Sequence, residues 1–244
     1  MNEELHGRLR AFWDADAETY DHSPGHAVAD PAEAAAWRAA LLQLLPSPPA
    51  RILDAGAGTG AMTLLAAELG YRVTALDLSS QMLARLEAKA GQRGLDVDVV
   101  LGPADRPPDG PFDAMIERHL IWTVPDPVAT LAAWRRIAPR AVLFEGLWGR
   151  QGALHGLRRA TIHAVRRAYR VPDDHHDEYP ADLRARLPLA GGMAVDLLVE
   201  AAARAGWRRS RVVRLREVED ARRRAARWPL SALESIPRFA LALE

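Results

Sequence analysis

The chain has no cysteine, which excludes disulfide bonds, thiolate metal sites and a cysteine nucleophile. It has a single lysine, Lys89, and a codon bias toward arginine explains this better than a specialisation for binding anions. No apolar run reaches the roughly 18 residues that span a bilayer, and the first residues lack the basic-then-apolar order of a secretory signal. We therefore expect a soluble, cytoplasmic protein.

The charges are balanced, with 32 basic and 32 acidic residues. The chain as a whole therefore has no net charge that would attract a nucleic acid or a membrane surface. Arginines cluster between residues 204 and 227, but acidic residues are interspersed among them and no aromatic platform accompanies them. This favours an outer helix face over an RNA-binding surface. The six polar residues Asp173–Glu178 cannot all point at one ion, so we predict a solvated loop and no metal site.

Segments typical of strands and helices alternate from residue 51 onward, which indicates a parallel sheet covered on both faces. We predict an α/β fold, Rossmann-like and doubly wound, with a mostly parallel seven-stranded sheet. Strands are predicted over 51–54, 71–77, 97–101, 112–117, 141–145, 211–215 and 239–243. Helices are predicted over 3–20, 30–45, 59–69, 79–90, 127–137, 152–170 and 193–205.

These elements form one domain with two additions. Residues 1–45 are predicted to form an N-terminal helical lid, and residues 46–149 the core of the domain. Residues 150–192 are predicted to form an inserted helical cap, and residues 193–244 the closing helices and strands. The sequence leaves the oligomeric state open, with a homodimer as one alternative.

The segment from Asp54 to Gly60 is the most informative motif, because a strand ends there in three glycines and a helix follows. Glycines let a backbone turn sharply and approach a ligand closely, and the helix presents free N–H groups to the same space. Asp77 lies about 20 residues further on, where an acidic residue contacts ribose hydroxyls. Gly56, Gly58 and Ala61 also satisfy the looser dinucleotide fingerprint, so an NAD(P)-dependent oxidoreductase is an alternative at this point.

Three features favour a different cofactor. The carboxylate of Asp54, just before the glycines, would repel a pyrophosphate but suits the amino group of a methionine moiety. Leu78 and Met82 follow Asp77 at positions that suit an adenine face. The predicted sheet also ends in two C-terminal strands, without a second nucleotide-binding half.

The segments 52–60, 73–79 and 112–117 together resemble the motif series of class I methyltransferases dependent on S-adenosylmethionine (SAM). The block 118–127 resembles a bacterial subgroup that acts on small molecules. The resemblance is good over residues 10–150 and implies SAM as cofactor, S-adenosylhomocysteine as product and a small-molecule acceptor. The implied cofactor-binding residues are Tyr20, Asp54, Ala55, Gly56, Gly58, Asp77, Leu78, Met82, Ala104, Asp105 and Glu117.

The sequence departs from the family pattern at two places. The acid that usually contacts adenine is displaced by two positions, to Asp105 in the segment 102–105. The glycine-rich turn usual before the fifth strand is absent, since residues 137–140 read Ile-Ala-Pro-Arg.

Methyl transfer from a sulfonium is an in-line displacement, so the enzyme mainly has to position the reactants. A base is needed only where the acceptor must lose a proton, and His119, just after the fourth strand, is the candidate catalytic residue. The alternative for His119 is a structural histidine bonded to a carboxylate or carbonyl. The candidate acceptor contacts are His22, Trp122, Glu145 and Trp148. Alternatives for the whole chain are a noncatalytic SAM-fold interaction protein and a methyltransferase acting on RNA or protein.

Overall fold

A computed structural model of the chain describes residues 2–23, 26–147, 179–192, 194–225 and 236–244, with five single positions between 161 and 168. Most of the helix predicted over 152–170 lies outside the described residues, as do the loop Asp173–Glu178 and Trp148. None of the helices in the described ranges is long and apolar enough to cross a membrane.

Seven strands form one sheet in the order β3-β2-β1-β4-β5-β7-β6. Strand β7 runs antiparallel to both of its neighbours, and the pairs among β1 to β5 are parallel. The strands are β1 (Arg51–Ala55), β2 (Arg72–Asp77), β3 (Asp98–Leu101), β4 (Ala114–Arg118), β5 (Ala141–Gly146), β6 (Ser210–Arg214) and β7 (Arg238–Leu243). The predicted fold class is confirmed.

The helices that cover the sheet begin at local sequence features. Asp30, Ser79 and Asp126 each accept a hydrogen bond from a backbone N–H in the first turn of the helix that follows. The helices are α1 (Asn2–Asp16), α2 (Pro31–Leu44), α3 (Ala61–Glu68), α4 (Ser80–Gln92), α5 (Pro127–Ile137), α6 (Ala181–Arg184), α7 (Val195–Arg204) and α8 (Arg216–Ala225), with short 3-10 turns at Tyr20–His22 and Ile121–Thr123.

The core lies on both faces of the sheet. Neighbouring residues Ile52 and Leu53 on β1 point to opposite faces, and both are fully buried. One face packs against Trp134 of α5, and the other against Trp37 of α2, whose ring meets Phe144 edge-on at 5.4 Å. Each such side chain contributes roughly 1.5–3 kcal/mol through burial. A sheet buried on both faces explains why its central strands are almost wholly apolar.

The largest difference from the predicted elements is at the N-terminus. The helix predicted over 3–20 ends at Asp16, and the chain turns into the 3-10 turn Tyr20–His22. Asp21 explains this turn, because its carboxylate accepts hydrogen bonds from Thr59, just before α3, and from Lys89 on α4. These contacts bridge 38 and 68 residues, so no local periodicity indicates them. Helix α6 was also not predicted, and α8 was predicted only as an outer helix face for the arginines between residues 204 and 227.

Candidate active site

The turn that follows β1 is shaped by three glycines in the left-handed backbone region. Gly56, Gly58 and Gly60 have φ of 67°, 55° and 92°, and other residues adopt such angles at a cost of roughly 1–2 kcal/mol. At Gly56 a Cβ atom would also lie 2.7 Å from Leu120 Cδ1. The sequence therefore needs glycine here both for the turn and for the close packing of the loop after β4.

Asp77 holds the next turn in place. One carboxylate oxygen accepts a hydrogen bond from Gly58 N and the other from Ser79 N, both at 2.8 Å. Burial raises the pKa of Asp77, and the backbone N–H groups oppose that rise. Each oxygen can accept a further hydrogen bond, so the carboxylate is able to bind a ligand while it fixes the loop.

Asp54 lies behind the glycine loop, 1% exposed, with one carboxylate oxygen 2.5 Å from Thr63 Oγ1. Burial raises the pKa of Asp54 from 3.8 to about 7, because the charged form is poorly solvated there. At neutral pH the carboxyl is therefore close to its midpoint, and a cationic ligand group would favour its charged form.

This pKa predicts how stability depends on pH. The folded pKa of about 7 lies above the unfolded value of 3.8, so the folded state binds the proton more tightly. Ionisation of Asp54 should lower the free energy of unfolding as pH rises from about 4 to about 7, by on the order of 1–4 kcal/mol. Asp54→Asn cannot ionise, so without ligand it should be more stable than the wild type at pH 8 and about equal to it at pH 4.

The measurement is denaturant unfolding of wild type and variant across this pH range. Asp98→Asn serves as the control for the change from aspartate to asparagine, because Asp98 is exposed on β3. A constant difference between Asp54→Asn and wild type at every pH would contradict the buried ionisation.

A cleft opens at the carboxyl ends of the strands, which is where ligands bind in open α/β sheets. Nine of the predicted site residues line it: Tyr20, Gly56, Gly58, Asp77, Leu78, Met82, Ala104, Asp105 and His119. Asp54 lines a smaller adjoining cavity.

The other predicted site residues lie elsewhere. Ala55, Glu117 and Glu145 are buried behind the cleft. His22 is exposed away from the cleft, and the Trp122 ring packs 5.5 Å from that of Tyr179. The structure does not describe Trp148.

Helix α1 closes one side of the cleft and contributes residues that the sequence did not indicate. His6 Nε2 lies 3.2 Å from an oxygen of Asp105, and Asp14 accepts a hydrogen bond from Ser79 Oγ at 2.5 Å. Tyr20 covers the glycine loop, since its ring edge lies 3.9 Å from where a Cβ at Gly58 would stand. Burial raises the pKa of the Tyr20 hydroxyl to about 12, so this residue is neutral.

His119 follows β4 with φ of 62°, a conformation that is strained for a residue other than glycine. Both of its ring nitrogens have partners, because Nδ1 lies 3.2 Å from Glu145 Oε2 and Nε2 lies 2.8 Å from Arg238 Nη1. An arginine can only donate, so Nε2 accepts and Nδ1 carries the proton toward Glu145. Burial, together with nearby Arg238 and Arg118, lowers the pKa of His119 well below its usual value.

Two buried carboxyl groups lie beside His119. Burial raises the pKa of Glu117 to about 8, and it raises that of Glu145 well above its usual value, with a further contribution from Glu117. Glu117 Oε2 accepts hydrogen bonds from Leu120 N and Ile121 N, whereas Oε1 of each glutamate has no hydrogen-bond partner. Burial disfavours the charged form of both groups, so both pKa values lie above that of an exposed glutamate.

Arg118 is a further site residue that sequence reasoning set aside, and Arg238, which it missed, lines neither cavity but contacts the site through His119. Arg118 lines both cavities, donates to the His26 carbonyl at 2.7 Å and lies 5.8 Å over the Trp37 ring. Arg238 reaches His119 across 119 residues of sequence. Arg118 adjoins a recognised motif and was detectable, whereas no local pattern indicates Arg238.

In sequence, a family described as a methyltransferase domain matches residues 53–143. Trans-aconitate 2-methyltransferase of Streptomyces avermitilis is 34% identical over 142 residues, which are 55% of this chain and 53% of that protein. A ubiquinone biosynthesis O-methyltransferase of Xanthomonas campestris pv. campestris (strain B100) is 31% identical over 188 residues, 73% of this chain and 74% of that protein. The chain spans 53% and 62% of the lengths of two of its curated relatives.

The fold is similar to that of solved methyltransferases. Geranyl diphosphate C-methyltransferase from Streptomyces coelicolor A3(2) gives a TM-score of 0.62 at 14% identity, over 98% of this chain and 97% of that one. Phosphoethanolamine N-methyltransferase 2 of Haemonchus contortus gives 0.65 at 16% identity, over 98% of this chain and 59% of that one. At these identities the likeness shows the fold.

Proposed function

Because the chain belongs to the class I SAM-dependent methyltransferases, we propose that it transfers the methyl group of SAM to a small-molecule acceptor. The observation that carries this proposal is the cleft at the carboxyl ends of β1 and β2, where the glycine loop and the Asp77 carboxylate face the same space. Ligands of this fold type bind in that crevice.

The residues of the cleft fit the proposed cofactor. Asp77 retains lone pairs for the two ribose hydroxyls, and Leu78 and Met82 supply apolar surface for adenine. The glycine loop and Asp54 suit the methionine end, where an ammonium group favours the charged form of a carboxyl whose pKa is about 7. Tyr20 and helix α1 exclude water from this space, in keeping with a lid over residues 1–45.

Methyl transfer from SAM requires few catalytic side chains. SAM supplies a methyl group that is activated by its sulfonium, and an acceptor oxygen, nitrogen or carbon attacks it in line. The protein contributes by positioning both partners and excluding water. The cap predicted over residues 150–192 lies mostly outside the described residues.

Calorimetry with SAM, S-adenosylhomocysteine and NADPH tests the cofactor. We expect SAM and its product to bind in the micromolar range and NADPH to show no binding. The reverse pattern would support the oxidoreductase alternative and contradict the proposal. SAM binding without turnover of any acceptor would point to a noncatalytic protein, and acceptor binding that falls steeply with salt to an RNA substrate.

His119 is proposed to act on the acceptor side of the cleft, either as a base or by orienting Arg238. His119→Ala should therefore reduce kcat by about tenfold or more and leave the Kd for S-adenosylhomocysteine within about twofold of wild type. The measurements are steady-state kinetics and calorimetry on the same preparation. Wild-type turnover in this variant would remove His119 from the reaction.

A further inference from the structure

Arg238, the first residue of β7, directs its guanidinium at an imidazole and not at a carboxylate. The antiparallel register places Arg238 opposite Gly146, at the carboxyl end of β5. Its Nη1 lies 2.8 Å from His119 Nε2, and none of the ion pairs between described residues includes Arg238. The guanidinium has five N–H donors, so most of its hydrogen-bonding capacity is not used by His119.

Arg238 lies near two other arginines. Burial and the like charges of Arg222 and Arg118 lower the pKa of Arg238 to about 9, which leaves it protonated at neutral pH. The carboxyl groups of Glu33 and Glu145 oppose this lowering of the pKa, but among the described residues Glu33 forms its ion pair with Arg222, at 3.2 Å, and neither group pairs with Arg238. A buried guanidinium in this situation gains from an anion that forms a bidentate pair with it.

The same part of the site lacks a free base among the described residues. His119 is the only histidine among the residues that line the cleft near β4 and β5, and Arg238 occupies the nitrogen that would accept a proton. Before His119 could remove a proton from a phenol or an ammonium, Arg238 would have to move away from His119 Nε2. An acceptor that arrives already ionised avoids that requirement.

We propose that the acceptor presents a carboxylate group, that Arg238 binds this group, and that one of its oxygens takes the methyl group to give a methyl ester. The inference rests on the proposed methyltransferase function and names its substrate class. A carboxylate oxygen forms the new bond to the methyl carbon, the carbon–sulfur bond breaks, and its electron pair stays on sulfur. No proton leaves, so the arrangement of His119 between Glu145 and Arg238 is preserved through the reaction.

The test uses the full chain and SAM labelled with tritium in the methyl group. The acceptors are aromatic and aliphatic scaffolds, each offered as carboxylic acid, carboxamide, phenol or alcohol, and amine. We expect label to enter the acids alone and to be released by mild base as volatile methanol, which marks an ester. Label in a base-stable ether or amine, or no label in the acids although calorimetry shows SAM binding, would overturn the proposal. Absence of SAM binding would instead contradict the proposed function itself.

Variants of Arg238 test the binding role with the best acid from that panel. Arg238→Gln should raise the KM for the acid by about tenfold or more and leave the Kd for S-adenosylhomocysteine unchanged. Arg238→Lys should give an intermediate KM, since a lysine retains the charge without the bidentate fork. Arg211→Gln is the matched control, because Arg211 is exposed on the neighbouring strand β6.

A purely structural role for Arg238 predicts a different result. It would lower the melting temperature and weaken cofactor binding in Arg238→Gln without a selective change in the KM for the acid. Equal KM values in Arg238→Gln, Arg211→Gln and wild type would also reject the assignment.

Discussion

Asp77→Asn is expected to weaken the binding of SAM and S-adenosylhomocysteine at least tenfold, which is about 1.4 kcal/mol. The carboxylate accepts hydrogen bonds from Gly58 N and Ser79 N at once, and an amide has only one oxygen for these two donors. The substitution also removes the charge that is proposed to bind the ribose hydroxyls. Hydrogen bonds to charged groups contribute about 1.5–3 kcal/mol each, so both the loop and the ligand should be affected.

Calorimetric titration of Asp77→Asn measures this effect, with Asp98→Asn as control. Asp98→Asn removes the same charge from the neighbouring strand β3, but the side chain of Asp98 is exposed. Affinity equal to that of wild type in Asp77→Asn would refute the ribose role. A fall in both variants would instead indicate a general effect of net charge.

Gly56→Ala is expected to lower the melting temperature by roughly 5–10 °C and to abolish measurable cofactor binding. Two costs add at this position. The new Cβ would lie 2.7 Å from Leu120 Cδ1, and φ is 67°. The left-handed backbone costs roughly 1–2 kcal/mol, and the overpacking costs roughly 1–3 kcal/mol.

Alanine variants at two further glycines distinguish the cost of the backbone angle from the cost of overpacking. At Gly58 φ is 55°, but the nearest atom to a new Cβ is 3.9 Å away, so Gly58→Ala should lose only about 2–4 °C through the backbone angle. At Gly91, in helix α4, a Cβ meets nothing within 4 Å, and alanine there should stabilise by up to about 1 kcal/mol. Thermal unfolding should therefore give the lowest melting temperature for Gly56→Ala, a higher one for Gly58→Ala and the highest for Gly91→Ala. Equal losses at Gly56 and Gly58 would show that Leu120 moves aside without cost.

Much of the lining of the cleft was predictable because its residues belong to short, contiguous patterns. A strand, a glycine turn and a helix occur within residues 51–68, and Asp77 ends the next strand, so local spacing places them together. The parallel sheet then brings the ends of β1 and β2 side by side, as the register of Ala55 and Leu76 shows. The pattern of alternating strands and helices predicted this sheet without any tertiary information.

The rest depended on contacts between distant parts of the chain. His6 contacts Asp105, Asp21 contacts Lys89, and Arg238 contacts His119. The partners in these pairs are 68 to 119 residues apart in the sequence. A single sequence carries no pattern that joins such pairs. The end of helix α1 at Asp16 was missed for the same reason, because the contacts of Asp21 that follow it are made with distant residues and not within the helix.

The amino-acid sequence alone determined the order of strands and helices, the glycine turn and the carboxylate at residue 77, since each follows from the spacing of neighbouring residues. Only the tertiary structure decided the protonation pattern around His119, because burial and the approach of Glu145, Glu117 and Arg238 set which groups carry charge. Electrostatic free energies depend on distance and solvent exposure, and both arise only when the sheet has assembled.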